Sequence, residues 1–170
     1  MRWLGYAILI FLFKAHSSFG QETDSIKSSV AIGKSIEVSR FDVFHAFSGM
    51  MNVNEVITIM PSLGAGIQKT YAMHRFHPRF SLGVGFDVFK NKTNFNFGPK
   101  IHSAISTYKL SKNERLSYSD GNVGYFLSYG KQWIIVHQAS VGRGVEHQLD
   151  SDFSFFYWSF NITLGLAYAL

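Results

Sequence analysis

The chain has no cysteine. That excludes a disulfide framework and a thiolate metal site. It also lacks any run of about 18 apolar residues, the least a helix needs to cross ~30 Å of hydrocarbon. The stretch from Trp3 to Phe13 is apolar but too short. If this chain lies in a membrane, it crosses as strands, because only helices and closed barrels satisfy every backbone amide in lipid. Charge is scarce, at 16% of residues, and its balance is mild. Residues 1–20 hold Arg2 and Lys14 and no acid, so the remainder carries 14 of the 16 basic residues against 11 acidic ones, a net of +3. Such a surface suits anionic lipid headgroups and is no footprint for nucleic acid.

The beginning of the chain has its own pattern. Arg2 precedes the apolar core, Lys14 closes it, and Ser18 and Gly20 stand at the small-residue positions before Gln21. This reads as a signal peptide over 1–20, cleaved before Gln21. Residues 21–27 are polar and read as a flexible lead-in. Residues 28–170 then form one domain.

The dominant feature of that domain is alternation, clearest at its end. From Phe156 the even positions are Phe156, Trp158, Phe160, Ile162, Leu164, Leu166, Tyr168 and Leu170, and the odd positions are mostly small and uncharged. Period 2 means a strand with one apolar face. The opposite face lacks the charges that water would favour, which fits a wall between lipid and a crowded lumen. Trp158 and Tyr168, ten residues apart, are separated by roughly 25 Å along the membrane normal at the usual tilt, so they mark the two interfaces.

The same alternation recurs upstream. Residues 28–47 carry it with a phase slip at Ser39–Arg40, consistent with one bulged strand or with two strands and a tight connection. Ser48 to Asn54 reads as a turn. Glu55 to Gln68 alternates, with Pro61 suggesting a bulge. Arg79 to Phe89, Phe95 to Tyr108, Asn122 to Gly130 and Trp133 to Glu146 follow. The connections 71–78, 109–121 and 147–152 are long and polar; 48–54, 90–94 and 131–132 are shorter. With two strands in 28–47 the count is eight, and the expected fold is an all-β, antiparallel up-and-down transmembrane barrel with its longer loops outside.

This pattern resembles the small eight-stranded outer-membrane barrel proteins of Gram-negative bacteria, especially Bacteroidetes-type ones. The resemblance rests on the alternation over 28–170, on Gln21 following Phe19-Gly20, and on Ile162, Leu164, Leu166, Tyr168 and Leu170, which look like the assembly signal of that group. The group more often ends in Phe. The resemblance implies an outer-membrane location, with outer-membrane lipids, lipopolysaccharide and the barrel assembly machinery as partners, and no cofactor. A soluble lipocalin-like barrel would need its apolar face inward and charges outward.

Function is less legible. Inward glycines beside large inward groups such as Met60, Phe126 and Tyr157 argue for a filled lumen rather than an open pore. Asp87, Lys100 and His102 share the predicted lumen face of one hairpin, as a self-neutralising polar cluster. No catalytic residue is assigned. An alternative is an enzyme on lipid substrates, similar to the lipid A acyl hydrolases, which carry a His-x-Ser-Asn motif. Here His102 is followed directly by Ser103, and His137 by Gln138-Ala139-Ser140, so neither matches; His102 and Ser103 also point to opposite faces. His74 and His77 are too few ligands for a metal site. The expected role is structural or surface-interacting, with specificity in the 71–78 and 109–121 loops.

Overall fold

The computed structural model describes residues 30–40, 42–70, 73–88, 95–109, 115–149 and 153–170. The signal peptide, the lead-in and the turn at 91–94 lie outside the described residues. Eight strands follow in chain order: β1 (Val30–Ser39), β2 (Val43–Asn52), β3 (Ile57–Thr70), β4 (Met73–Phe86), β5 (Phe95–Lys109), β6 (Arg115–Tyr129), β7 (Trp133–Gln148) and β8 (Ser154–Ala169). Each pairs antiparallel with the next, and β1 closes on β8. Residues 28–47 therefore hold parts of two strands, joined by a turn in which the Ser39 amide donates to the Asp42 carbonyl.

The register fixes the tilt. Starting from Leu166, direct partners run through Lys34, Phe47, Leu63, Phe80, Ile105, Ser119 and Val145 back to β8 at Phe156. The return falls ten residues from the start. A stagger of that order in eight strands goes with strands inclined about 35–45° and a lumen just wide enough for side chains.

The two faces are inverted relative to a soluble barrel. Phe47, Leu63, Val123, Val141 and Leu164 are exposed on the outside, while Glu37, Arg79, Lys100 and Asp120 are buried inside. Such an exterior would be an aggregation liability in water and is the right surface for lipid. This disposes of the lipocalin-like alternative.

Both chain ends of the barrel lie at one mouth, here called the terminal end. The turn between β2 and β3 is there, with Asn54 Oδ1 accepting from the amides of Val56 (2.8 Å) and Ile57 (2.7 Å). So is the turn between β6 and β7, where Gly130 has φ 136°. A Cβ at Gly130 would strike the Trp133 carbonyl oxygen, so glycine is required both by conformation and by space.

Several expected boundaries move. Ser48 to Asn52 continues β2, and the turn is 53–56. The expected 71–78 loop is mostly the start of β4, and much of the 109–121 loop is the start of β6. In β6 the cause is that the strand at the far end runs past the apolar belt. There the exterior meets water, so the outward positions become Ser117 and Ser119 while Leu116 and Tyr118 turn inward. Outward-apolar alternation vanishes although the strand continues. Pro61 also brings no inserted residue. Ser48↔Ser62 and Met51↔Ile59 keep one register on either side of it. The ring is accommodated by Gly49, where even a Cβ would lie 3.3 Å from Pro61 Cγ.

Candidate functional site

The lumen is filled in three layers. Nearest the terminal end is an apolar plug: Ala31, Met50, Met60, Phe126, Val136 and Ala167 pack together. Phe126 is fully buried, and its ring fills the space left by Gly85, where a Cβ would lie 2.5 Å from Phe126 Cε1. At the far end Leu116, Tyr118 and Tyr157 form a second cluster, with the two tyrosine rings 6.2 Å apart edge to face. Between them lies a charged layer.

Its centre is Arg79, on an inward position of β4. The guanidinium donates through Nε to Glu37 Oε1 at 2.7 Å and through Nη2 to Asp120 Oδ2 at 3.2 Å. Arg79 and Glu37 are 3% and 2% exposed at their side chains, so this is an ion pair removed from water. The Phe44 ring lies 4.9 Å from the Arg79 guanidinium carbon, a cation–π contact that covers a further face of the charge. Asn161 Nδ2 donates to Glu37 Oε1 at 2.5 Å, and Asn122 Nδ2 donates to Asp120 Oδ1 at 3.0 Å. Five strands, β1, β4, β6 and β8 together with β2 through Phe44, are thus tied across the lumen. Each charge has the hydrogen-bonded partners a desolvated ion needs.

Of the expected cluster, Lys100 and His102 are buried in this lumen. Lys100 donates to Gln138 on β7. The two His102 ring nitrogens lie 3.8 Å from Glu37 Oε1 and 3.8 Å from Asp120 Oδ1. That exceeds hydrogen-bond range, so the ring meets the carboxylates as nearby charges. Asp87 stands apart. It follows β4 at the terminal end, where its carboxylate accepts from the Phe97 amide at 3.3 Å and its own amide donates to the Val56 carbonyl. The expected three-residue cluster is therefore split between the lumen and a turn.

Glu37, Arg79 and Asp120 are the members not singled out from sequence. Glu37 and Arg79 showed their inward phase but not their partners, which come from strands far apart in the chain. Asp120 was hidden in the stretch read as a loop. His77, also inward, has Nε2 3.4 Å from Asp42 Oδ2; among the described residues no group of His, Cys, Asp and Glu is arranged to hold a metal ion.

A cavity of about 20 Å³ lies beside His102, Glu37, Gln138 and Met60. That is room for about one water. His102 faces it from inside the wall, while Ser103 is exposed on the outside. The pair therefore cannot work as base and nucleophile on one substrate.

On the exterior, Trp158 lies under the Arg143 guanidinium, 5.2 Å away. Tyr168 meets Trp133 edge to face at 5.1 Å, and its hydroxyl accepts from Gln132 Nε2 at 2.6 Å. Ile162, Leu164 and Leu166 are exposed on the same face of β8 between these aromatics, and Leu170 follows, its amide donating to the Val30 carbonyl.

No family model and no curated protein matches the sequence. Among solved structures the chain is similar to a major outer membrane protein from Thermus thermophilus, with TM-score 0.54 and 9% identity over 84% of this chain and 99% of that one. It is similar also to the N-terminal β-barrel domain of Pseudomonas aeruginosa OprF, with TM-score 0.52 and 10% identity over 86% of this chain and 100% of that domain. With its apolar belt, filled polar lumen and closed eight-stranded register, the chain has the fold of the small outer-membrane β-barrels.

Proposed function

We propose that this protein is a non-conducting outer-membrane barrel that acts through its far rim. Its terminal end faces the periplasm and its far end faces outward. The observation that carries this reading is the layered filling of the lumen, with the Arg79 ion-pair layer between two apolar clusters. A barrel of this size closed at three levels is a scaffold rather than a passage. What it presents lies at the rim. β1 pairs with β8 only as far as Ser39↔Asn161, so β8 above Asn161 has no β1 partner along that edge. Phe153 and Phe155 are exposed there, Phe155 in the inward phase of β8. Arg40 Nη1 donates to the Trp158 carbonyl on that stretch at 3.1 Å, and exposed aromatics beside a strand edge covered by side chains rather than by a ladder mark an interaction surface. The Bacteroidetes-type affinity belongs to the same reading and is supported by Phe19-Gly20-Gln21 alone.

Two measurements test the proposal. Purified barrel in a planar bilayer should give no steady conductance steps; porin-like steps would overturn the closed-scaffold reading. Proteoliposomes should adhere to alkyl-coated beads, and Phe153→Ser with Phe155→Ser should reduce adhesion while leaving folding intact. Equal adhesion by the variant would remove the rim from the proposal.

A further inference from the structure

The lipid-facing exterior is not uniform. On β3 to β6 the described outward side chains between the rims are apolar or small, and the charged Arg115 lies at the far rim. The half built from β2, β1, β8 and β7 differs. It carries Lys34, His45 and His137, all on outward positions. The register puts His45, Ile36, Leu164 and His137 in one row across the four strands. The adjacent row toward the terminal end is Phe47, Lys34, Leu166 and Ile135. Lys34 and His45 are thus diagonal neighbours on one face, ~7–8 Å apart at Cα, close enough for both side chains to reach one group between them.

An open groove of about 590 Å³ runs over this patch, with Lys34 and His45 on its wall and Phe47, Leu164 and Leu166 beside them. Among the described residues no acidic side chain pairs with either basic group. Lys34 has one neighbour of note, the Phe47 ring, 5.7 Å from Nζ. A cation on the lipid face is costly near the bilayer midplane and cheap near the interface. Leu166, the direct partner of Lys34, is two residues from Tyr168 on β8. That places Lys34 roughly 5–8 Å inside the Tyr168 and Trp133 level, within reach of the headgroup zone by snorkelling along the groove.

Resting on the reading of this chain as a membrane barrel, we infer that the β2–β1–β8–β7 groove binds one anionic phospholipid of the leaflet nearest the terminal end. Its phosphate is held by the Lys34 ammonium and the His45 ring N–H. One acyl chain lies along Phe47, Leu164 and Leu166. The charges are complementary, the apolar groove matches the chain, and among the described residues no acidic side chain competes for the cation. A neutral lipid would leave Lys34 without a counter-charge, whereas an anionic one neutralises it, and a basic group near a membrane surface contributes about fivefold in preference for anionic over neutral lipid.

The test uses the refolded barrel in micelles doped with phosphatidylglycerol and phosphatidylcholine of identical chains. Native mass spectrometry counts the bound lipid. One phosphatidylglycerol should be retained in preference to phosphatidylcholine. Lys34→Gln with His45→Gln should lose that preference. Arg143→Gln, which removes a lipid-facing cation beside Trp158, should keep it. If the double variant retains phosphatidylglycerol like the parent, or if Arg143→Gln loses as much, the site is wrong and general attraction to a basic barrel is the explanation. Displacement by millimolar inorganic phosphate would likewise overturn a lipid site. Both substitutions lie outside the lumen, so the heat-dependent gel mobility of a folded barrel should be unchanged. A parent that never acquires that mobility in neutral micelles would defeat the membrane-barrel reading instead.

Discussion

Removing Arg79 is the sharpest probe of the lumen. Arg79→Met keeps an apolar stem of similar length under Phe44 but deletes the charge. Glu37 then keeps Asn161, and Asp120 keeps Asn122, but two buried carboxylates face each other's field with Lys100 as the remaining lumen cation among these groups. Two charge-assisted hydrogen bonds disappear, at 2.7 and 3.2 Å in the parent. Each such bond contributes about 1.5–3 kcal/mol. Breaking a buried pair by deleting one partner typically costs about 3–5 kcal/mol, and the two figures agree. The double variant Glu37→Gln, Arg79→Met should recover much of the loss. Asp120 and Lys100 then remain as one negative and one positive charge, and Gln can still meet Asn161. The assay is urea unfolding of the reconstituted barrel followed by far-ultraviolet circular dichroism and gel mobility. The reasoning is refuted if Arg79→Met unfolds at the parent's urea midpoint, or if the double variant loses the sum of the two single losses.

Other expectations follow from the same geometry. Gly85→Ala should destabilise by about 1–3 kcal/mol, because its Cβ would lie 2.5 Å from a fully buried Phe126 ring that has nowhere to go; Gly121→Ala, which meets nothing within 4 Å, should be neutral or mildly stabilising, and equal effects in unfolding assays would contradict the packing. The absence of native cysteine makes topology directly readable. Leu149→Cys, exposed beside the far-end turn, should react with an impermeant maleimide on intact cells, while Lys131→Cys at the terminal end should react only once the outer membrane is opened; the reverse order would invert the orientation. Amino-terminal sequencing of membrane-extracted protein should begin at Gln21, and a start at Met1 would end the secretion argument.

What the sequence determined by itself is whatever is encoded locally. Period-2 alternation with an uncharged opposite face specified strands in lipid, because each residue's medium leaves its mark at that residue. The last strand from Phe156, with Trp158 and Tyr168 near its edges, was legible in full, and so was the tight turn at Lys131–Gln132. The inward phase of Glu37, Arg79, Lys100 and His102 was legible as well. Tertiary structure decided the rest. Whether Arg79 would meet Asp87, Glu37 or Asp120 depends on a stagger of ten residues around a closed sheet, and no window of sequence contains that quantity. Asp87 and Lys100 are near neighbours along the chain, yet the lumen bonds Lys100 to Gln138 on β7 and Arg79 to Glu37 on β1. The far end of β6 was missed for a physical reason of the same kind. Where a strand leaves the lipid its outward face is solvated, so the apolar stripe that announces it stops while the backbone ladder, which only a partner strand supplies, goes on.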